Sequence, residues 1–246
     1  MVFKAKLKAD VLRTVIAATS TLVDEAKFHL TPTGLTLKAV DPAHVAMVDL
    51  SLSSKAFEEY KATEMEIGIE LEKLKDVLKL AGSGDTVKFE YQEDAHRLVI
   101  TIGNLVRRMS LVDTQGMSDP KVPNLNLPNK VTLKAEELLQ GIRASEGVSD
   151  HVALVADPEF FQLLAEGDND SVDLRLTKDQ TVELVAKERS KSLFSLDYFS
   201  NMIKAVAAGD ALTMSLGSDF PVRMEFDIAD GHGHVTYLLA PRIESE

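Results

Sequence analysis

The side chains best suited to chemistry lie near the end of this chain, in Asp227-Ile228-Ala229-Asp230-Gly231-His232-Gly233-His234. Two imidazoles and two carboxylates stand within these eight residues, and such groups can ligate a divalent metal ion. Gly231 and Gly233 instead favour a tight turn between two strands, and the second half of the chain offers no evident further ligand. We therefore predict a turn here and no metal site.

Two other segments could carry chemistry. His44 follows Asp41-Pro42 and could act as an acid or base, but neither an activated nucleophile nor a paired carboxylate accompanies it. Gly82-Ser83-Gly84-Asp85 lacks the Lys-Ser/Thr pair of a phosphate-binding loop, and its position after a helical pattern indicates a helix end. The chain has 0 cysteines, which excludes disulfides, thiol catalysis and cysteine-ligated zinc. We predict that the protein is not an enzyme and needs no cofactor.

Length and composition are typical of a soluble globular protein. The 246 residues suffice for two domains, with 45% hydrophobic and 27% charged residues. No apolar run approaches the roughly 18 residues of a membrane span, and the N-terminus lacks the apolar core of a signal peptide. We expect a location in the cytosol or nucleus and no membrane partner. The net charge of -12 argues against indiscriminate nucleic-acid binding but allows a local basic surface.

The charge differs between the two halves. Residues 1–120 hold 15 Lys or Arg against 18 Asp or Glu, whereas residues 121–246 hold 12 against 21. Two similar domains of unequal charge could meet head to tail between copies of the chain. Unequal solvated surfaces are the simpler alternative, and the composition leaves both open.

The hydrophobic pattern changes several times between a period of two, which is typical of half-buried strands, and helical spacing. Strands are predicted at residues 2–8, 26–30, 34–40, 44–52, 65–71, 86–91, 97–103 and 106–112. Helices are predicted at residues 10–24 and 71–81, because their apolar residues share one side. Pro- or Gly-containing segments between these elements supply the turns.

The pattern repeats in the second half. Leu7-Lys8-Ala9-Asp10 corresponds to Leu133-Lys134-Ala135-Glu136 at an offset of 126, and Lys79 corresponds to Lys204 at an offset of 125. A register that holds to one residue across two helices indicates an internal duplication. We predict an α+β fold of two duplicated domains, residues 1–116 and 131–246, each with two helices on antiparallel sheet.

A connector at residues 117–130 joins the predicted domains. The segment Gly116 to Lys130 holds three prolines and three asparagines in fifteen residues, which excludes a helix or a central strand. A flexible tether would not need its apolar residues, which are Met117, Val122, Leu125 and Leu127. These side chains are therefore expected to be covered, or to bind a partner.

Each predicted helix carries at least one cation opposite its apolar stripe. These cations are Arg13, Lys75, Lys79, Arg143 and Lys204, and acidic residues stand close to them in the sequence. One such helix is ordinarily a solvated face, but four at duplicated positions favour a common surface.

Several motifs resemble a known family. They are Asp41-Pro42-Ala43-His44-Val45-Ala46-Met47-Val48, Leu78-Lys79-Leu80-Ala81-Gly82, Asp219-Phe220-Pro221-Val222, and the ending Tyr237-Leu238-Leu239-Ala240-Pro241-Arg242-Ile243-Glu244. Together with the connector, they resemble the archaeal and eukaryotic sliding-clamp family, proliferating cell nuclear antigen (PCNA), over the whole length. The resemblance implies the DNA clamp fold, a non-enzymatic processivity factor, and three head-to-tail subunits that form a six-domain ring around duplex DNA.

The resemblance also implies which residues face DNA. By position they are Arg13, Lys73, Lys75, Lys79, Arg143 and Lys204. Exchangeable phosphate contacts of this kind hold DNA without reading its sequence, so the ring could slide. Thr14, Ser20, Asp76 and Gln140 stand where relatives are basic, so the channel is expected to be less positive here.

A second implied site is a hydrophobic pocket for short partner motifs of DNA polymerase, flap nuclease, ligase and clamp loader. Its residues would be Val40, His44, Val45, Met117, Leu125, Leu127, Pro221, Leu238, Ala240 and Pro241. Burial of a few apolar anchors at about 1.5–3 kcal/mol each gives exchangeable, micromolar recognition after the costs of association.

The implied subunit contact pairs an edge strand near residues 106–112 with another near residues 171–177. Its residues would be Arg107, Arg108, Met109, Asp173 and Arg175, with ion pairs that help to join the ring. A heterotrimeric clamp subunit is the alternative that the sequence leaves open. The expected location is cytoplasmic and nucleoid-associated in an archaeon, or nuclear in a eukaryote.

Overall fold

The computed structural model describes residues 1–207 and 209–243. Ala208 and residues 244–246 lie outside the described residues, so the last position of the terminal motif, Glu244, does too.

Four α-helices and eighteen strands make up the regular structure of this described part. The strands are β1 Phe3–Lys8, β2 Glu25–Thr31, β3 Gly34–Val40, β4 Ala46–Ser53, β5 Glu59–Ala62, β6 Met65–Glu70, β7 Thr86–Gln92, β8 Arg97–Ile102, β9 Leu105–Ser110, β10 Asn129–Lys134, β11 His151–Ala156, β12 Phe160–Glu166, β13 Ser171–Thr177, β14 Glu183–Val185, β15 Ser190–Ser195, β16 Ala211–Leu216, β17 Val222–Ile228 and β18 Gly233–Leu239. The helices are α1 Ala9–Ser20, α2 Leu71–Leu78, α3 Ala135–Ser145 and α4 Leu196–Lys204.

The chain divides into two compact units. Unit 1 comprises Met1–Val122 and Asp227–Val235, and unit 2 comprises Pro123–Phe226 and Thr236–Glu246. The predicted domain boundaries, 1–116 and 131–246 with a connector at 117–130, stay a prediction.

The first repeat pairs its strands in the orders β5-β1-β7-β8-β9 and β4-β3-β2-β6. Alternation in β1 buries Phe3, Ala5 and Leu7 and leaves the intervening lysines outside. Helix α1 contacts α2, β1 and β4 and buries Leu12 and Ile16 among them. Each such side chain contributes about 1.5–3 kcal/mol by leaving water.

The second repeat has the same strand orders, β14-β10-β16-β17-β18 and β13-β12-β11-β15. Helix α3 contacts α4, β10 and β13, with Leu138 and Ile142 fully buried. The close approach of α3 to β13 requires Gly141, because a Cβ there would lie 2.7 Å from a methyl carbon of Leu174.

Backbone hydrogen bonds confirm the duplication. The Ala9 amide, the first of α1, donates to the Asp85 carbonyl at 2.8 Å, and the Ala135 amide, the first of α3, donates to the Asp210 carbonyl at 3.0 Å. The other two helices start alike, because Leu71 donates to Asp24 and Leu196 to Asp150, at 2.9 Å or less. The offsets of 125 and 126 seen in the sequence therefore recur in the folded chain.

The structure differs from the predicted elements in a few places. Helix α1 ends at Ser20, because the amides of Leu22 and Val23 both turn back to the Thr19 carbonyl. Helix α2 ends at Leu78, and β4 begins only at Ala46. Strand β5 was missed, because Glu59-Tyr60-Lys61-Ala62 buries only its last residue and so lacks an apolar alternation.

Candidate functional site: basic helix faces, a structured loop and an anchored connector

The lysines of α2 and its C-cap form a row of exposed ion pairs. The distances from Nζ to the carboxylate oxygen are 2.5 Å for Lys73 and Glu70, 3.4 Å for Lys75 and Glu72, and 2.7 Å for Lys79 and Asp76. Each partner stands three residues before its lysine, which brings both side chains to one face. The hydrogen bond that Lys79 donates to Asp76 lowers the pKa of the Asp76 carboxyl group and raises the pKa of the Lys79 ammonium group. Exposed pairs of this kind contribute little to stability, so a phosphate could replace a carboxylate at little cost.

Arg13 is held differently from the lysines. Its guanidinium donates to the carbonyls of Leu78 and Ala81 and to the Asp10 carboxylate. The Leu78 carbonyl belongs to the last residue of α2, where a positive charge is favourable, and the Ala81 carbonyl lies three residues beyond it. Asp10 also accepts from the Gly84 amide, and this bond, followed by the contact with Arg13, lowers the pKa of Asp10. Arg13 therefore ties α1 to α2, and only part of its guanidinium surface faces solvent.

The second helix pair uses another arrangement. Lys204 Nζ lies 3.1 Å from Glu146 Oε1, and Ser200 Oγ donates to the same oxygen at 3.1 Å. The hydrogen bond from Lys204, then that from Ser200, lowers the pKa of Glu146. Arg143 is exposed on α3, the helix that ends just before Glu146.

The loop between β3 and β4 is built around the Asp41 side chain, which is 1% exposed. Its Oδ1 accepts from the amides of Val45 at 2.8 Å and Ala46 at 2.7 Å, and its Oδ2 accepts from the amide of Ala43 at 3.0 Å. His44 is exposed and has a φ of 58°, a conformation that this hydrogen bonding stabilises. Asp41 was missed as a functional candidate, although an Asp-Pro pair that opens a loop is a recognisable signal.

The predicted peptide-contact residues fall into both units. In unit 1, Val45 and His44 are exposed, while Val40 and Met117 are half-buried. In unit 2, the half-buried residues are Leu125, Leu127, Pro221, Ala240 and Pro241, but Leu238 is only 6% exposed and belongs to the core. Two neighbours in the sequence were missed: Phe220 is 50% exposed and Ile243 is 90% exposed.

The start of the connector is held by a polar cluster within unit 1, here called the anchor cluster: Lys27, His29, Glu66 and Asp119. Lys27 Nζ lies 2.6 Å from Asp119 Oδ2 and donates to the Met117 carbonyl at 3.1 Å. His29 Nε2 lies 2.7 Å from Asp119 Oδ1, and its Nδ1 lies 3.2 Å from Glu66 Oε1. The hydrogen bond from Lys27 is the largest cause that lowers the pKa of Asp119. Sequence reasoning missed this cluster.

Within the described part of the chain, His29, Glu66 and Asp119 are also grouped closely enough to ligate a metal ion. The buried Lys27 already places an ammonium group against these carboxylates, 2.6 Å from Asp119 and 3.9 Å from Glu66. A divalent cation would have to compete with this positive charge. We therefore interpret the cluster as an ion-pair network.

The segment from Asp227 to His234 contains a tight turn, as predicted. A 3-10 turn at Ala229–Gly231 joins β17 to β18, with Gly231 at a φ of 81°. His234 Nδ1 lies 2.8 Å from Asp227 Oδ1. The Ser53 amide donates to the His232 carbonyl at 2.8 Å, which fixes the turn against β4 within unit 1.

The predicted interface residues lie on two strands that each end a run of sheet. Strand β9 lies at the end of the order β5-β1-β7-β8-β9, next to β8. Strand β13 lies at the end of the order β13-β12-β11-β15, next to β12. Arg108 is exposed on β9, Arg107 is half-buried and Met109 is buried. On β13, Asp173 accepts from Gln162 at 2.8 Å, and the Arg175 guanidinium lies 3.6 Å from the centre of the Phe160 ring.

Comparison with protein families gives two adjacent matches. "Proliferating cell nuclear antigen, N-terminal domain" matches residues 2–115, and "Proliferating cell nuclear antigen, C-terminal domain" matches residues 121–242. The chain belongs to the PCNA family. This confirms the resemblance and the clamp fold of two antiparallel-sheet domains with two helices each.

Curated relatives cover the whole chain. Proteins named DNA polymerase sliding clamp from Methanosarcina barkeri and Methanocella arvoryzae are each 44% identical over 245 residues, which is 99% of this chain and 100% of each relative. The one from Halobacterium salinarum is 42% identical over 246 residues, 99% of both chains. Sliding clamps are processivity factors rather than enzymes, so the prediction that this PCNA-family chain is not an enzyme is confirmed.

Solved PCNA structures superpose closely. The complex titled "C-terminal region of FEN-1 bound to A. fulgidus PCNA" contains a chain that is 34% identical, with a TM-score of 0.93 over 99% of this chain and 100% of that one. PCNA from Thermococcus kodakaraensis is 27% identical, with a TM-score of 0.91 over 98% and 100%. Between residues 1 and 243, Ala208 apart, no helix is long and apolar enough to span a membrane.

Proposed function

We propose that the protein forms a homotrimeric ring around duplex DNA and acts as a processivity factor for replicative DNA polymerase. The observation that carries this proposal is the match to DNA polymerase sliding clamps over 99% of the chain. Because the named relatives are archaeal, we place this activity in the cytoplasm, at the nucleoid. The exposed lysines of α2, with Arg143 and Lys204, would supply phosphate contacts, while Arg13 mainly supports the helix pair.

DNA encirclement can be tested with clamp loaded onto nicked circular DNA by a clamp loader. Topology holds a ring on the circle even where phosphate contacts are weak, so the protein should stay bound at a salt concentration that screens those contacts. Cutting the circle should release it. Retention on the linear product would contradict encirclement.

Ring closure is supported by the two edge strands, which leave backbone groups that another subunit could pair. Arg107 and Arg108 on β9 would face Asp173 on β13 of the next copy. Reversal of both arginines to Glu should shift the protein toward monomer at low concentration, measured by analytical ultracentrifugation. The double reversal of Lys55 and Lys61, both exposed, makes the same charge change and should leave the trimer intact.

The wild-type measurement also tests the ring itself. A stable monomer would contradict the homotrimer and would favour the alternative that the chain is a subunit of a heteromeric clamp. If the R107E/R108E variant stays trimeric at low concentration, that result would contradict the proposed ion pairs but not the homotrimer.

We further propose that the protein recruits polymerase, flap nuclease, ligase and clamp loader through short hydrophobic motifs. The solved complex of a FEN-1 C-terminal region with A. fulgidus PCNA supports peptide binding in this family. Each unit would offer its own contact residues: Val40, His44, Val45 and Met117 from unit 1, and Leu125, Leu127, Pro221, Leu238, Ala240 and Pro241 from unit 2.

Titration with the FEN-1 C-terminal peptide tests this recruitment. Val45→Asp places a charge on the exposed loop and should weaken binding about tenfold or more, because the charge would lose water on binding. Val182→Asp makes the same change at a residue that is 64% exposed and lies outside the proposed contacts, so its affinity should be unchanged. Equal affinity of the two variants would place the peptide elsewhere. Leu238 is unsuitable for this test because its burial would make any substitution a test of folding.

A further inference from the structure

The connector begins on the polar face of the sheet formed by β2 and β6. The Val112 amide donates to the Gly68 carbonyl at 2.9 Å, and seven residues later Asp119 reaches the anchor cluster. Lys27 ties this segment twice, through the Asp119 carboxylate and through the Met117 carbonyl. Met117, a proposed peptide contact, is therefore positioned by the same ammonium group that binds Asp119.

The His29 ring lies between the connector and β6. Its two ring nitrogens face two different carboxylates, Asp119 at 2.7 Å and Glu66 at 3.2 Å. A neutral imidazole has one N–H, so one nitrogen lone pair would face a carboxylate oxygen. The imidazolium donates from Nε2 to Asp119 and lies at ion-pair distance from Glu66 through Nδ1. Protonated His29 also balances the cluster, which then holds two cations and two anions.

The charged groups around His29 come from three segments. Lys27 lies on its own strand, Glu66 on β6 and Asp119 on the connector. On the remaining side, β3 places Thr36 directly opposite His29, and Lys38 farther along β3 lies 3.7 Å from Asp49 of β4. Two carboxylates thus contact the imidazole ring directly, while Lys27 partly opposes the second positive charge.

We propose that His29 and Asp119 are positioning residues for partner binding: the Asp119 carboxylate, bridged to β6 through protonated His29, holds the Met117 segment in the conformation that receives a hydrophobic peptide. Loss of the positive charge on His29 removes its attraction to the Asp119 and Glu66 carboxylates and loosens the segment. This inference rests on the proposed peptide binding and adds a pH-dependent control to it.

The test is the affinity of the wild-type protein for the FEN-1 C-terminal peptide, measured by fluorescence anisotropy. Histidine changes its charge between about pH 5 and 8, so binding is followed at about pH 6 and about pH 8. We expect the Kd to rise about threefold toward the higher pH, a size that fits the loss of one partly exposed ion pair. Hydrogen exchange at the Met117 amide should accelerate over the same range.

Two variants separate positioning from a general effect of pH. Asp119→Asn should weaken binding about threefold to tenfold at about pH 6, because a bond to a charged group is lost, and should flatten the pH profile. His29→Lys keeps a positive charge at both pH values, so its affinity should stay near that of the wild type at about pH 6 and should not change with pH. Asp227→Asn is the matched control, because Asp227 makes a comparable contact with His234 at 2.8 Å, and it should retain the wild-type profile.

The outcomes are distinguishable. A wild-type protein that does not bind the peptide at either pH would overturn the recruitment proposal. Wild-type binding without pH dependence, or a D119N variant with the wild-type profile, would overturn the positioning role of His29 and Asp119. The recruitment proposal would stand. A pH dependence that persists in H29K would assign the titration to another group and would likewise overturn the anchor.

Discussion

In the first repeat, β2 and β6 present Lys27, His29 and Glu66 to the connector, whereas the second repeat has Ala153, Val155 and Lys191 at the corresponding positions. The correspondence follows from strand register. Gly68, opposite Lys27, bridges to Val112, and Leu193, opposite Ala153, bridges to Arg242. Both repeats therefore receive a chain segment at the same sheet edge. Among residues 1–207 and 209–243, ion pairs hold this segment in the first repeat only.

The clamp fold therefore does not require the anchor cluster. The second repeat forms the same strand orders and starts its helices with the same hydrogen bonds. Lys27, His29 and Glu66 therefore act on the connector, which only the first repeat carries. Charges that the fold can omit in one copy are good candidates for function in the other.

A second difference lies in the loop that follows the third strand of each repeat. Asp41 opens this loop in the first repeat, and Gly167 opens it in the second, at an offset of 126. The Asp41 carboxylate binds three amides, whereas Gly167 donates its own amide to the Asp170 carbonyl at 2.9 Å. A side-chain network thus shapes one loop, and a short backbone turn shapes the other.

The largest effect is expected when the first loop loses its carboxylate. Asp41→Ala leaves three amides without their partner, two of which bond the buried Oδ1, and should lower the free energy of unfolding by about 3 kcal/mol. Asp157→Ala, in a turn of the second repeat, removes one exposed bond to the Glu159 amide and should cost less than about 1 kcal/mol. Urea unfolding at a fixed protein concentration compares the two. Equal losses would show that the Asp41 network does not set this loop apart.

A smaller effect is expected at the bridge between Gly68 and Val112. A Cβ on residue 68 would lie 2.4 Å from the Val112 carbonyl oxygen, so Gly68→Ala must push the segment that leads into the connector away from β6. We expect a loss of about 2 kcal/mol in thermal unfolding, as for other overpacked sites. Gly147→Ala meets no atom within 4 Å and should change stability by less than about 0.5 kcal/mol. If G68A is as stable as G147A, the bridge does not constrain the connector.

The smallest effect concerns an edge strand in each repeat. Tyr60 on β5 donates to the carbonyls of Thr31 at 2.9 Å and Gly34 at 2.7 Å, while Leu184 occupies the corresponding place on β14. Tyr60→Phe should cost about 1 kcal/mol near neutral pH, the value of a typical hydrogen bond.

Burial raises the pKa of Tyr60 from 10.0 to about 12, so folding favours the protonated hydroxyl. The Tyr60 hydroxyl makes its full contribution to the free energy of unfolding below pH 10.0, and this contribution is lost as the pH rises toward about 12. Unfolding measured across this window should show the wild type losing its advantage over Y60F. A constant difference would contradict the raised pKa.

Much of the fold could be predicted, because the hydrophobic periodicity of strands and helices is a pattern among residues that are close in the sequence. The start of α1 and its counterpart α3 followed from Leu7-Lys8-Ala9 and Leu133-Lys134-Ala135. The end of α1 did not follow, because Leu22 and Val23 continue the apolar spacing while their amides turn back to Thr19. At the candidate sites, the exposure of lysines such as Lys79 was predicted from the sequence. The hydrogen bonds from Arg13 to the carbonyls of Leu78 and Ala81 were not predicted.

Patterns in the linear sequence were enough to predict the duplication, the absence of cysteine chemistry, the turn at Gly231 and the family. Each rests on residue types at short or regular spacing, which a linear pattern preserves. Which charged side chains contact each other became known only from the folded structure. Arg13 reaches carbonyls more than 60 residues away, and Lys27 reaches Asp119 at a separation of 92 residues. Such contacts depend on sheet register and on the path of the connector, which no local pattern specifies, so the anchor cluster became visible only in the folded chain.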